Sequence, residues 1–298
     1  MKLALGTVQF GLPYGATNKR GQVSADEIER ILARARSAGI DLLDTAAAYG
    51  TSEDVLGASG EAGSGFGIVT KTLPLRTDAI DAAAVERVVN GVRQSARRLR
   101  VAALDGLLAH HAPDLLVTGG DRLYDALQSL RAEGLVRRLG ASVYTVDQLL
   151  ALLERYPLEI VQLPMNVLDQ AFLQTGTLDR LVQRGVQVHV RSLFLQGILL
   201  AERLPRALQA LDPGWSRFRE CCARAGLTPL QGCLAYLKTC EQVSYGVVGV
   251  EDSAQLRQIL DAWEGLEGRS LPDFSGCNMA PEKMLNPTNW PVVERLNE

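Results

Sequence analysis

"SADEIERILARARSAGIDLLDTAAAYG", residues 24–50, sets a helix and a strand end to end, and its reading decides the fold. The first part (24–39) has the apolar period of an amphipathic helix. It opens on Ser24 with Glu27 three residues on, the spacing of a capping box, and it ends at Gly39. The second part begins as a buried strand, with Ile40, Leu42 and Leu43 reading as core. Asp44 then closes the apolar run, and Tyr49 follows on a stretch of small residues. A carboxylate costs several kcal/mol to bury unpaired, so Asp44 needs a cation or a set of donors.

The same theme recurs along the chain. Further strands are expected at "KLALGTV" (2–8), "GFGIVTK" (65–71), "ALDGLLAH" (103–110) and "RRLGASV" (137–143). Others follow at "EIVQLPM" (159–165), "VQVHVRS" (186–192) and "VSYGVVGV" (243–250), with "IDLLDTA" (40–46) completing eight. Helical patterns stand between them, at 81–100, 120–134 and 252–266 among others. Eight strands alternating with helices predict a single (β/α)8 TIM barrel of the α/β class. A doubly wound sheet would carry a GxGxxG loop after its first strand, which "GTVQFGLPYG" (6–15) does not match. No composition break divides the chain, so residues 1–298 read as one domain, with 267–298 a C-terminal tail packed over the barrel.

Composition bounds the function. With 47% hydrophobic residues, 22% charged and a net charge of -3, the chain has globular character and no basic surface for nucleic acid or anionic membrane. No apolar run approaches a membrane span, and the N-terminus lacks a signal-peptide core. Five cysteines without a CxxC pair point to reduced thiols and a cytoplasmic protein. A metal-dependent hydrolase would need several converging His and carboxylate ligands, whereas only His110, His111 and His189 occur, with no HxH. No metal is expected.

Chemistry in such barrels sits where the strands end. The polar residues there are Asp44, Lys71, His110, Ser142, Gln162, Asn166, Arg191 and Ser192. Asp44, Lys71 and His110 end three consecutive strands, which brings them side by side around one mouth with Tyr49 on the loop between the first two. Lys71 is then the cation for Asp44. Its charge beside the phenol is expected to lower the pKa of Tyr49 below about 10. The set predicts a tyrosine that protonates a developing alkoxide.

These segments resemble the aldo-keto reductases. "DLLDTAAAYGTSEDVLG" (41–57), "IVTKT" (68–72), "DGLLAHHAPD" (105–114), "LGASVY" (139–144), "VQLPMNVLD" (161–169) and "RSLFLQGILL" (191–200) follow the family's motifs in order, over nearly the whole chain. The resemblance implies a catalytic tetrad of Asp44, Tyr49, Lys71 and His110, acting on a small carbonyl or alcohol substrate. Hydride would come from a nicotinamide, with Tyr49 as proton donor. Ser142 and Gln162 would hold the carboxamide, and Gln196 and Gly197 would lie near the pyrophosphate. Thr7, Asp44, Arg191, Ser192 and Leu193 complete the cofactor contacts on that side. His111 reads as a loop residue.

The chain departs from the family pattern in several places. Arg191 stands where many members stack a tyrosine on the nicotinamide, and Val143 replaces an asparagine. The first strand begins at residue 2, leaving no room for the hairpin that usually plugs the barrel floor. NADP(H) is the family habit, its 2′-phosphate held just after the eighth strand. Here Gly249 and Val250 replace a lysine and serine, Gln255 replaces an arginine, and Glu251 and Asp252 add negative charge. NAD(H) is therefore open as well, although helix-start amides near Asp252 and the Arg257 side chain offer anion contacts. Trp290 in the tail either lines a pocket or packs. A catalytically weak cofactor-binding sensor or partner protein of the same fold is the alternative to a reductase.

Overall fold

A computed structural model describes residues 1–61 and 65–290. Eight parallel strands close into one barrel in chain order, β1 pairing with β8. They are β1 (Lys2–Gly6), β2 (Leu42–Asp44), β3 (Gly67–Lys71) and β4 (Gly106–Ala109), then β5 (Leu139–Ser142), β6 (Ile160–Pro164), β7 (Gln187–Arg191) and β8 (Tyr245–Gly249). All eight match the expected segments but are shorter, chiefly because residues beyond each strand leave the ladder to build the loops of the mouth. After β1 the chain does not run straight into a loop. It makes a one-turn helix, Val8–Gly11, before the loop that reaches Ala25.

The helix Ala25–Ser37 buries Ile28, Ile31, Leu32 and Ala35, a stripe at the i, i+3, i+4, i+7 spacing that lays one face on the barrel. Its expected capping box does not form. Ser24 makes no side-chain cap, and Glu27 instead accepts from the amide of Ser253 (2.6 Å) at the start of the last barrel helix, Ser253–Glu264. A partner 226 residues away wins over the local one, tying the first and last helices together.

Side chains alternate across a strand, so the inward face can be followed upward. Ala4, Leu42, Val69, Leu108 and Ile160 form an apolar cluster inside the barrel, with Tyr245 and Val247 against it. These residues fill the lumen. Small residues make room for them: a Cβ on Gly106 would lie 2.6 Å from the Ile160 Cδ1 atom. Two residues further along the same face come Asp44, Lys71, His110 and Gln162, which is why the polar set converges above an apolar floor.

Of the C-terminal segment, residues 291–298 lie outside the described residues. Before them, Gln170 Nε2 donates to the Phe274 carbonyl (2.8 Å), Cys277 is buried, and Trp290 Nε1 donates to the Met284 carbonyl (2.8 Å). Trp290 packs, while Pro287 and Thr288 reach the mouth cavity. Among the described residues no helix is long and apolar enough to cross a membrane.

Candidate active site

A cavity of about 650 Å³ opens at the C-terminal ends of the strands. At its base, Lys71 Nζ donates to Asp44 Oδ1 (2.7 Å) and to the Thr45 carbonyl (2.8 Å). The side chains are 1% and 5% exposed. Gln162 Nε2 donates to the second carboxylate oxygen at 2.6 Å. Asp44 thus has both a cation and a neutral donor, so the burial that its position demands is compensated. Burial opposes the charge on Lys71, but the attraction of the Asp44 carboxylate, with Tyr49 and the hydrogen bond to Asp44 adding to it, outweighs that cost, and its pKa is raised.

Tyr49 faces this pair, with Lys71 Nζ 4.9 Å from its ring centroid and His110 edge-on at 5.8 Å. Its pKa moves opposite to expectation. Burial raises it, outweighing the lowering by Lys71, although the residue keeps some exposure at the mouth. A cationic neighbour alone would lower the pKa, but desolvation favours the neutral phenol and outweighs it. His110 is pushed down to about 4, first by burial and then by Lys71, so it is neutral at ordinary pH; its Nδ1 is buried without a partner. His111 is elsewhere, its Nδ1 2.9 Å from Asp114 Oδ1 in the loop that follows.

Several residues that set this geometry were not singled out from the sequence. Ser52 Oγ donates to the Thr7 carbonyl (2.9 Å) and lies 3.1 Å from Thr45 Oγ1, pinning both ends of the loop that carries Tyr49. Glu53 is buried, accepting from Thr70 Oγ1 (2.6 Å) and from Arg98 Nε and Nη2 (2.9 and 2.6 Å). Gly11 permits contact: a Cβ there would sit 1.8 Å from the Tyr49 carbonyl. The serine–glutamate pair after Tyr49 was the visible signal for the first two; Gly11 had none beyond being a glycine.

All the expected cofactor residues but Val250 line the cavity, and Asn166, expected only as a polar strand-end residue, stands apart. Ser142, Gln162, Arg191, Ser192, Leu193, Gln196, Gly197, Gly249, Glu251 and Gln255 line the cavity, as does Thr7, whose hydroxyl donates inward to the Asp44 carbonyl (3.0 Å). Val250 does not: it is 1% exposed and turns into the core. Asn166 is a loop tie, its Oδ1 accepting from the Leu168 and Asp169 amides (2.9 and 3.2 Å). Ser142 and Gln162 are register partners, and Gln162 Oε1 is a buried acceptor with no partner. That pair fits a ligand carboxamide, which brings both a donor and an acceptor.

Beyond β7, Ser192, Leu195, Gln196 and Gly197 all have positive φ, and Gln196 Nε2 donates to the Tyr14 hydroxyl (3.2 Å) from the loop after β1. Beyond β8, three of the amides around the expected anion site already have acceptors in the chain. The Ser253 amide donates to Glu27, the Gln255 amide to Asp252 (2.7 Å), and the Glu251 amide to Gln255 Oε1 (2.9 Å). Arg20, from the loop after β1, is ion-paired with Asp252, while Arg257 is exposed and outside the cavity lining. Helix-start donors were expected to be available, and at Ser253 and Gln255 the chain's own acceptors occupy them.

A profile of the Aldo/keto reductase family matches residues 2–267. Comparison with curated proteins finds no match. Among solved structures, the chain is similar to an aldo-keto reductase from Bacillus halodurans in its holo form (19% identity, TM-score 0.70, covering 99% of this chain and 95% of that one). It is similar also to a glycerol dehydrogenase from Gluconobacter oxydans (20%, 0.68, 90% and 87%). A protein from Pseudomonas aeruginosa assigned to the aldo-keto reductases shares 24% identity at a TM-score of 0.64, with 88% of each chain covered.

Proposed function

The chain belongs to the aldo-keto reductase family of oxidoreductases, and on that premise we propose that it reduces an aldehyde or ketone to the alcohol with NAD(P)H, Tyr49 supplying the proton. The observation that carries this reading is the buried Asp44–Lys71 pair set against Tyr49 beside a neutral His110. A bound nicotinamide supplies the hydride. Tyr49, like any phenol, is protonated at neutral pH, and burial raises its pKa further, so it holds the proton that the reaction needs. Once its proton passes to the carbonyl oxygen, the phenolate forms next to the Lys71 ammonium, which offsets the new charge. Asp44 fixes that ammonium, and Gln162 fixes Asp44. His110, uncharged, directs the carbonyl oxygen toward the phenol.

Ser142 and Gln162 would hold the carboxamide, and Ser192, Gln196 and Gly197 the phosphates. Gly249, Glu251 and Gln255 would border the adenosine ribose. A carboxylate at Glu251 suits a free 2′-hydroxyl, as acids do in NAD sites, so both cofactors are expected to work with weak discrimination. The test is reduction of 4-nitrobenzaldehyde with NADPH and NADH. Tyr49→Phe should lower kcat on the order of 100-fold or more while fluorescence titration still shows cofactor binding. Near-native turnover in Tyr49→Phe would remove Tyr49 from the role. Cofactor binding without turnover on any carbonyl would return the protein to the sensor reading.

A further inference from the structure

His189 lies inside the barrel and takes no part in the chemistry proposed above. It is 1% exposed, and neither ring nitrogen has a hydrogen-bond partner. Burial pushes its pKa down to about 4, so the ring is neutral, with an N–H donor on one nitrogen and an acceptor on the other. Buried polar groups in native interiors are nearly always paired, so two orphans on one ring call for a reason.

The strand register shows what lies beside it. Ser142, Gln162, His189 and Tyr245 are partners in turn on β5, β6, β7 and β8. Their side chains share the inner face, from Tyr245 against the apolar cluster in the lumen to Ser142 and Gln162 on the cavity wall. The His189 ring meets the Tyr245 ring at 5.0 Å and feels the charges of Asp44 and Lys71. Gln162, its neighbour on the other side, is gripped at one end only. Its Nε2 donates to Asp44 Oδ2 (2.6 Å), while Oε1 is buried without a partner. Two adjacent side chains therefore hold three orphaned polar atoms and make no direct hydrogen bond to each other. A water between them would accept from the imidazole N–H and donate to Oε1. A carbonyl oxygen has two lone pairs, so Oε1 keeps one for a ligand.

We propose that His189 is a positioning residue for Gln162: joined to Oε1 through a buried water, it steadies the free end of the amide so that Oε1 can accept from the carboxamide of a bound nicotinamide. This rests on the reading of Gln162 as the carboxamide contact.

The test is calorimetric titration of the full chain with NADH and with ADP-ribose, which lacks the nicotinamide. In His189→Leu the affinity for NADH should fall about 5-fold or more, the scale of one lost hydrogen bond. Affinity for ADP-ribose should stay within about 2-fold of wild type, which also reports that the variant is folded. His189→Asn and His189→Gln carry an amide near one or the other ring nitrogen, and at least one should recover most of the loss. A second readout needs no substitution at 189. In nitrogen NMR of histidine-labelled protein, assigned with His110→Ala and His111→Ala, the His189 ring signals should move on adding NADH and stay in place with ADP-ribose. Unchanged NADH affinity in His189→Leu overturns the proposal, as do ring signals that ignore NADH. An equal fall for both ligands, or no recovery in either amide variant, assigns His189 to packing and overturns it too. Wild-type protein that binds no NADH overturns the cofactor reading itself, and this proposal with it.

Discussion

Lys71→Met offers a test of the site that does not depend on any substrate. In the folded protein the ammonium sits 2.7 Å from an almost fully buried carboxylate. At an effective dielectric of about 20, the attraction at that distance is about 6 kcal/mol, against which stands a desolvation cost of several kcal/mol per ion. The net worth of the pair is therefore small, but removing one partner is a different quantity. Methionine fills the space and leaves Asp44 with the Gln162 amide as its remaining side-chain donor. Breaking a buried pair in this way costs about 3–5 kcal/mol. For a chain of this size each kcal/mol lowers Tm by roughly 2–3 °C, so scanning calorimetry should find a drop of about 6–15 °C. Adding Asp44→Asn to Lys71→Met removes the stranded charge and should recover most of the loss. A Lys71→Met protein melting within about 2 °C of wild type would mean that Asp44 is solvated or protonated in the native state, and the electrostatic account of Tyr49 would fall with it.

Three further outcomes are expected. His110→Ala should lower kcat on the order of 100-fold, whereas His111→Ala, which only frees Asp114 in a loop, should keep most of it; the opposite ranking in steady-state assays would put the wrong histidine at the mouth. In kinetic assays the NADPH-to-NADH ratio of kcat/KM should stay below about 100, or roughly 2.7 kcal/mol, and Glu251→Arg should raise it; a thousandfold native preference for NADPH would show a phosphate grip elsewhere, Arg20, paired with Asp252, being one candidate cation. His110 and His189 are both pushed down to about 4 by burial, so between pH 6.5 and 4 the unfolded chain binds protons that the native one does not. Stability should therefore hold above about pH 6.5 and fall as the pH drops toward 4, by a ceiling of about 3 kcal/mol per histidine; urea unfolding of His189→Leu should give a flatter profile, and an unchanged one would clear His189 of any part in it.

What the sequence made legible follows range. The eight apolar runs and their order were readable because period and spacing are local properties, and Asp44, Lys71 and His110 could be brought together because strand ends converge in a barrel. Interactions that span the chain were not readable. Glu27 spaced itself from Ser24 like a cap yet serves Ser253, and Val250 looked like a cavity residue until the end of β8 fixed its direction. The Tyr49 shift failed for a related reason: the sequence names the charged neighbour, but the degree of burial, which decides the sign, comes from the whole mouth. Arg191 was visible as a misfit residue, though its seat over the Tyr144 ring was not.

The seam between β1 and β8 joins residues at opposite ends of the chain, five register positions long, and the Glu27–Ser253 bond spans it on the outside. During synthesis Asp44, Tyr49, Lys71 and His110 all emerge long before the seam can close. Until residue 245 leaves the ribosome, β1 presents an unpaired edge, and so does each newest strand in turn, which is the geometry that invites sticking between nascent chains. Closing a ring over such sequence separation is also slow. These four residues thus precede the latch, and a product truncated before β8 would hold them on an open, edge-exposed sheet.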